Sequence, residues 1–177
     1  MTDAATLDAY GVLTEPTTLR IERLLPGPVE RIWSYLTDSD LRRKWLASGV
    51  MEPKAGSSFE FVWRNDELGI AAGKRPEGMP EENRMKCLIL AFEAPRKLVF
   101  TFGEKAEVTW DLTPRGRDVL FTITHRRITD RNVLLSVSAG WHAHVDVLVA
   151  ITEGKSAQPF WDSWSGLRKE YDQRLTA

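Results

Sequence analysis

The sequence predicts an α+β fold: a curved antiparallel β-sheet wrapped around a long C-terminal α-helix. Three observations predict it. Phe59, Phe61 and Trp63, then Leu98, Phe100 and Phe102, then Val108, Trp110 and Leu112, then Val119, Phe121 and Ile123 recur at every second position, the period of strands with one buried face. Leu134, Val137, Trp141, His144, Val145, Leu148 and Ile151 instead share one broad face at 100° per residue, the period of a helix. The order is a strand, two helices, a run of strands and the long helix, and a sheet with one apolar face needs a cover, which the long helix supplies.

Taken in order, residues 1–16 are expected to form a flexible tail and residues 17–177 a single domain, since 177 residues suit one sizeable core better than two. The stretch "TTLRIERLLPG" alternates around Leu19 and Ile21 and predicts the first strand. Pro28 suits a first helical turn, and Val29, Ile32, Trp33 and Leu36 follow at helical spacing. Asp38 or Ser39 can cap a second, short helix carrying Leu41 and Trp45. After the strand at Phe59–Trp63 comes "RNDELGIAAGKRPEGMPEEN", residues 64–83, rich in Gly, Pro and Glu with few apolar anchors. A connection of this length predicts a gate over a binding site.

"RMKCLILAFEAPRKLVFTFG" then predicts two strands broken by Pro95, and "AEVTWDLTPRGRDVLFTITHRR" a hairpin turning at "TPRGRD". The long helix is expected to end at Gly154, with His142, Asp146 and Glu153 off the apolar face. Phe160, Trp161, Trp164, Leu167, Tyr171 and Leu175 predict a final helix.

Composition narrows the function. A formal net charge of -1 supplies no broad positive field for nucleic acid or an anionic membrane. The one cysteine, Cys87, excludes an intrachain disulfide and a Cys-rich metal site, and in a strand beside Leu88 and Ile89 it reads as a small buried hydrophobe. The N-terminus has no basic start followed by an apolar run, and no apolar stretch approaches the length of a membrane span. The expectation is a soluble cytoplasmic protein without membrane insertion. Seven tryptophans is a high count, and tryptophan concentrates in cores, interfaces and pockets.

No catalytic constellation is expected. There is no Gly-x-Ser-x-Gly elbow, no phosphate-binding loop and no dinucleotide fingerprint, so no cofactor is expected either. His142 and Asp146, four apart, could present two metal ligands. Apart from His144 on the apolar face, His125 is the only further histidine available to complete a zinc site, so an exposed ion pair is the expectation and no metal site. His144 is either an inert, hydrogen-bonded residue at the core margin or a polar group inside a ligand cavity. The aromatic residues either fill a dense core or wall a void under the curved sheet.

The segments "LLPGPVERIWSYLTDSDLRRKWL", "EAPRKLVFTFG", "EVTWDLTPRGRDVLFTITHRR" and "GWHAHVDVLVAITEGK" occur in an order that resembles the START-like, or SRPBCC, superfamily with its helix-grip fold, shared with the birch-pollen-allergen-like proteins. Within it the chain resembles bacterial homologues of the activator of the Hsp-type chaperone ATPase, from about Thr17 to Leu175. The second, chaperone-contacting domain of the full-length activators is expected to be lacking. The expected function is binding of a small hydrophobic molecule in an internal cavity between sheet and long helix. Leu134, Val137, Trp141, His144 and Leu148 would form one wall, and Trp45, Phe61, Trp63, Phe100, Phe102, Trp110 and Phe121 the other. The resemblance also implies two alternatives, a chaperone-associated interaction module and a polyketide-cyclase-like enzyme.

Overall fold

A computed structural model describes residues 8–69 and 71–175. Seven strands form one antiparallel sheet: β1 (Val12–Glu15), β2 (Thr18–Pro26), β3 (Ser58–Trp63), β4 (Asn83–Glu93), β5 (Lys97–Phe102), β6 (Ala106–Arg115) and β7 (Asp118–Arg126). Their order is β1-β2-β7-β6-β5-β4-β3. Two short helices, α1 (Val29–Thr37) and α2 (Ser39–Arg42), join β2 to the β3–β7 meander, and two longer ones, α3 (Arg131–Thr152) and α4 (Phe160–Arg174), follow it.

Register explains why one face of the sheet is apolar. Ile21 stands opposite Ile123, Ile123 opposite Trp110, and Trp110 opposite Leu98, so one row of the sheet carries four buried hydrophobes on the same side. The next row, Arg20, Thr124, Thr109 and Val99, points the other way, as the period of two requires.

α3 lies across the apolar face with Ala139, Val145 and Leu148 fully buried. Its ends are chemically defined. The Asp130 carboxylate accepts the Val133 N–H at 3.0 Å. At the other end Gly154, at φ 73°, donates to the Ile151 carbonyl at 3.1 Å while Lys155 donates to that of Ala150 at 2.7 Å, a Schellman closure that favours glycine at this position.

Several expectations need correction. The expected tail includes a strand: Val12–Glu15 pairs with β2, Gly11 donates its N–H to the Tyr171 hydroxyl at 2.8 Å, and Tyr10 packs its ring on His142 and Tyr171. Four residues are too few to show a period. Residues 1–7 lie outside the described residues. The second helix stops at Arg42, so Trp45 sits in the following turn, its indole N–H donated to the Tyr35 carbonyl at 2.8 Å.

α3 is buried on more than one stripe, because α4 covers one flank and the β1 end of the chain another. His142 is therefore buried rather than solvent-facing. Its Nδ1 is 2.8 Å from the Tyr171 hydroxyl, and its Nε2 is 3.7 Å from Asp146, which pairs with Arg23 at 2.6 Å. The same burial explains why α3 has the length and apolar content of a membrane span: most of that span is packed inside the fold, as in a core helix.

The least legible feature is Arg42, fully buried without a carboxylate partner. Its guanidinium donates to the backbone carbonyls of Leu36, Thr37, Ala47 and Gly49 and stacks over the Phe61 ring at 5.4 Å. Burial lowers its pKa to about 10, so it stays charged at neutral pH. It ties the end of α1 to the loop entering β3.

Candidate functional site

Where the sheet meets α3, part of the interface is closed by packing and part is open. Seven of the twelve candidate wall residues lie on the closed side. Trp45, Phe61, Phe100, Trp110 and Phe121 form a continuous aromatic cluster with ring centroids 4.9–6.4 Å apart, and Leu134 and Leu148 are buried in the same core. Edge-to-face and tilted contacts of this kind fill space. The remaining five, Trp63, Phe102, Val137, Trp141 and His144, come together around a cleft of about 360 Å³ that opens to solvent.

Sequence reasoning missed α4, Leu46 and Met85 as parts of the cleft, whereas the 64–83 connection was expected beside the site as its gate. Phe160, Trp161 and Trp164 of α4 close one side, Leu46 and Met85 contribute from the core, and Met79, Pro80, Glu81, Asn83 and Asn65 come from the long connection. The helical spacing of Phe160, Trp161 and Trp164 was readable. Nothing in it said that this face packs beside α3 and opposite the end of β3.

The Trp164 indole passes over α3 at Gly140, 3.9 Å from where a Cβ would stand, and donates to the Ser136 carbonyl at 3.3 Å. The connection itself is anchored more firmly than its composition implied. A 3-10 turn at Asn65–Glu67 buries Leu68, the Trp161 backbone N–H donates to the Ala72 carbonyl at 2.7 Å, and the Trp161 indole donates to Asp66 at 2.7 Å. Arg75 pairs with Asp66, and Arg64 with Glu82 at 2.7 Å.

The electrostatics of the cleft are set by its histidines. His144 holds its Nδ1 2.9 Å from the Trp45 carbonyl. A carbonyl only accepts, so Nδ1 carries the proton and Nε2 is the acceptor, with no partner among the described residues. Burial brings the imidazole pKa down to about 4, with the Trp45 hydrogen bond opposing in part, and the ring is neutral at pH 7.

Beneath it, Trp141 donates its indole N–H to Nδ1 of His125 at 3.0 Å, which fixes the opposite tautomer there. His125 is likewise lowered to about 4 by burial. No group of three or more candidate metal ligands occurs among the described residues. Burial pushes the Cys87 thiol up to about 12, so it is not a thiolate nucleophile at neutral pH.

A family model described as Activator of Hsp90 ATPase homolog 1-like protein matches residues 26–153. No curated protein sequence matches the chain. Among solved structures, the protein encoded by gene BPP1335 of Bordetella parapertussis shares 35% identity at a TM-score of 0.80, over 96% of this chain and 92% of that one. CalU16 of Micromonospora echinospora is 18% identical at a TM-score of 0.66, over 90% and 89%. EF2215 of Enterococcus faecalis is 17% identical at 0.70, over 94% and 89%. The last two likenesses concern the fold alone. The aligned family segment runs from the end of β2 to the end of α3, the sheet and helix that hold the cleft, and the chain belongs to the Activator of Hsp90 ATPase homolog 1-like family with its helix-grip fold.

Proposed function

We propose that the protein binds a small hydrophobic molecule in the cleft between the sheet, α3 and α4. The observation that carries this reading is the wall itself. Six aromatic rings, Trp63, Phe102, Trp141, Phe160, Trp161 and Trp164, border one open space of about 360 Å³, with the neutral His144 among them. An apolar concavity with a few placed polar groups is what small-molecule sites have in common. The site is offset from the internal cavity expected under the sheet, toward α4.

Met79, Pro80, Glu81 and Asn83, from the 64–83 connection expected as a gate, border the mouth and serve in that role. The Nδ1 of His144 is held by the Trp45 carbonyl rather than by a carboxylate, which suits a binding contact. Native mass spectrometry of freshly purified protein tests it directly. A stoichiometric adduct of small mass, removed by organic extraction, is expected. Only apoprotein, both as purified and after incubation with a lipid extract, would count against the reading.

The family description favours a second reading, a chaperone-associated interaction module. It would use apolar side chains outside the cleft, and Val50, Leu88 and Leu90 are exposed. Chaperone capture abolished by Leu88→Asp and Leu90→Asp, with small-molecule binding intact, would favour it.

A further inference from the structure

The cleft is asymmetric in the charge of its free hydrogen-bonding groups, and this limits what it can hold. Three of its four indole N–H groups are already spent on the protein: Trp141 on His125, Trp161 on Asp66 and Trp164 on the Ser136 carbonyl. The Nδ1–H of His144 is spent on the Trp45 carbonyl. Free donors remain in the Trp63 indole N–H and the Asn83 side-chain amide, all of them uncharged, and the free acceptors include the one charge at the rim. His144 Nε2 has no partner, Asn65 Oδ1 is buried without one, and Glu81 adds a carboxylate at the rim. Among the described residues, neither lysine nor arginine lines the space.

From this we infer that the cleft selects neutral aromatic molecules bearing a hydroxyl or N–H donor and rejects carboxylates such as fatty acids. The inference rests on the ligand-binding reading above and names the ligand class. A donor group satisfies His144 Nε2, which an apolar ligand would cover and leave unpaired. A carboxylate would lose its hydration with no cation to receive it, facing one lone-pair nitrogen and a like charge at the mouth. Because burial keeps His144 neutral near pH 7, it does not turn into the missing cation.

Three probes of one shape separate the possibilities: 2-naphthol, 2-methylnaphthalene and 2-naphthoate, titrated at pH 7.5 by quenching of tryptophan emission. The expected order is naphthol, then methylnaphthalene, then naphthoate, with about a tenfold gap between naphthol and methylnaphthalene and a larger one to naphthoate. His144→Phe should bring naphthol down to methylnaphthalene. Glu81→Gln, at an exposed position, should raise naphthoate affinity several-fold relative to naphthol.

If His144→Phe does not fold, because the Trp45 carbonyl loses its donor, the order on the wild-type protein and the Glu81→Gln result still decide. Naphthoate binding as tightly as naphthol, or methylnaphthalene equal to it, overturns the donor selectivity while the binding reading stands. Failure of all three probes to bind overturns the binding reading itself, and the selectivity with it.

Discussion

Leu148→Asp is expected to unfold the protein, while Asp146→Leu, two residues earlier on the same helix, is expected to cost little. Leu148 is fully buried against the concave face of the sheet. The substitution forfeits roughly 2–3 kcal/mol of apolar burial and adds several more for a carboxylate with no partner, against a total stability of about 5–15 kcal/mol. Asp146 is half-exposed. It loses a pairing with Arg23 at 2.6 Å and a longer approach to His142, a loss on the order of 1 kcal/mol. Urea midpoints separate the two, and equal midpoints would mean that α3 is rotated about its axis from the packing described.

Acid should destabilise the fold well before its carboxylates titrate. His125, His142 and His144 are all held by burial at a pKa of about 4, down from 6.5. The unfolded chain therefore binds more protons than the folded one between those values, and stability falls as pH falls. It is fully present above pH 6.5 and declines toward pH 4 by roughly 1.4 kcal/mol per pH unit for each histidine.

Three such groups together remove roughly 6 kcal/mol by about pH 5, the low end of a typical stability of about 5–15 kcal/mol, with Asp146 favouring the charged form of His142 in part. Protonation also breaks specific contacts. A doubly protonated His125 can no longer accept from Trp141, so the change in tryptophan emission should accompany the loss of helix signal. A urea midpoint unchanged between pH 7 and pH 5 would show that these rings reach water.

The strands and helices were legible because each has a period. Phe59–Trp63, Leu98–Phe102 and the Val108–Ile123 hairpin lie in strands, and Gly154 follows the last turn of α3. What periodicity cannot say is whether inward-facing rings touch. Phe100 and Trp110 close to a centroid distance of 4.9 Å and exclude a ligand, whereas Phe102 and Trp63, on the same faces and nearer the end of their strands, border the cleft.

That difference arises from where α3 and α4 leave a gap beside the ends of β3 and β5, a tertiary fact with no local signal. Arg42 was illegible for a related reason. In "LRRKWL" it reads as one more surface cation, and only the turn after α2 brings four backbone carbonyls around it. His142 was misplaced because its phase was taken from a helix with one buried stripe, while α4 and the β1 end cover the other sides.

The central claim, that the cleft is a binding site, is tested most directly by titrating N-phenyl-1-naphthylamine, a neutral fluorescent amine, into the wild-type protein and into Gly140→Leu. Gly140 lies on the cleft wall in α3, and a Cβ there meets only the Trp164 indole nitrogen, at 3.9 Å, so a larger side chain can enter the cleft from a helical backbone that accepts it. The account predicts saturable, one-to-one binding to the wild type. It predicts the same for Gly140→Ala, and loss of binding in Gly140→Leu with the thermal midpoint retained. Probe emission that never saturates, or equal affinity in the wild type and Gly140→Leu, would contradict it.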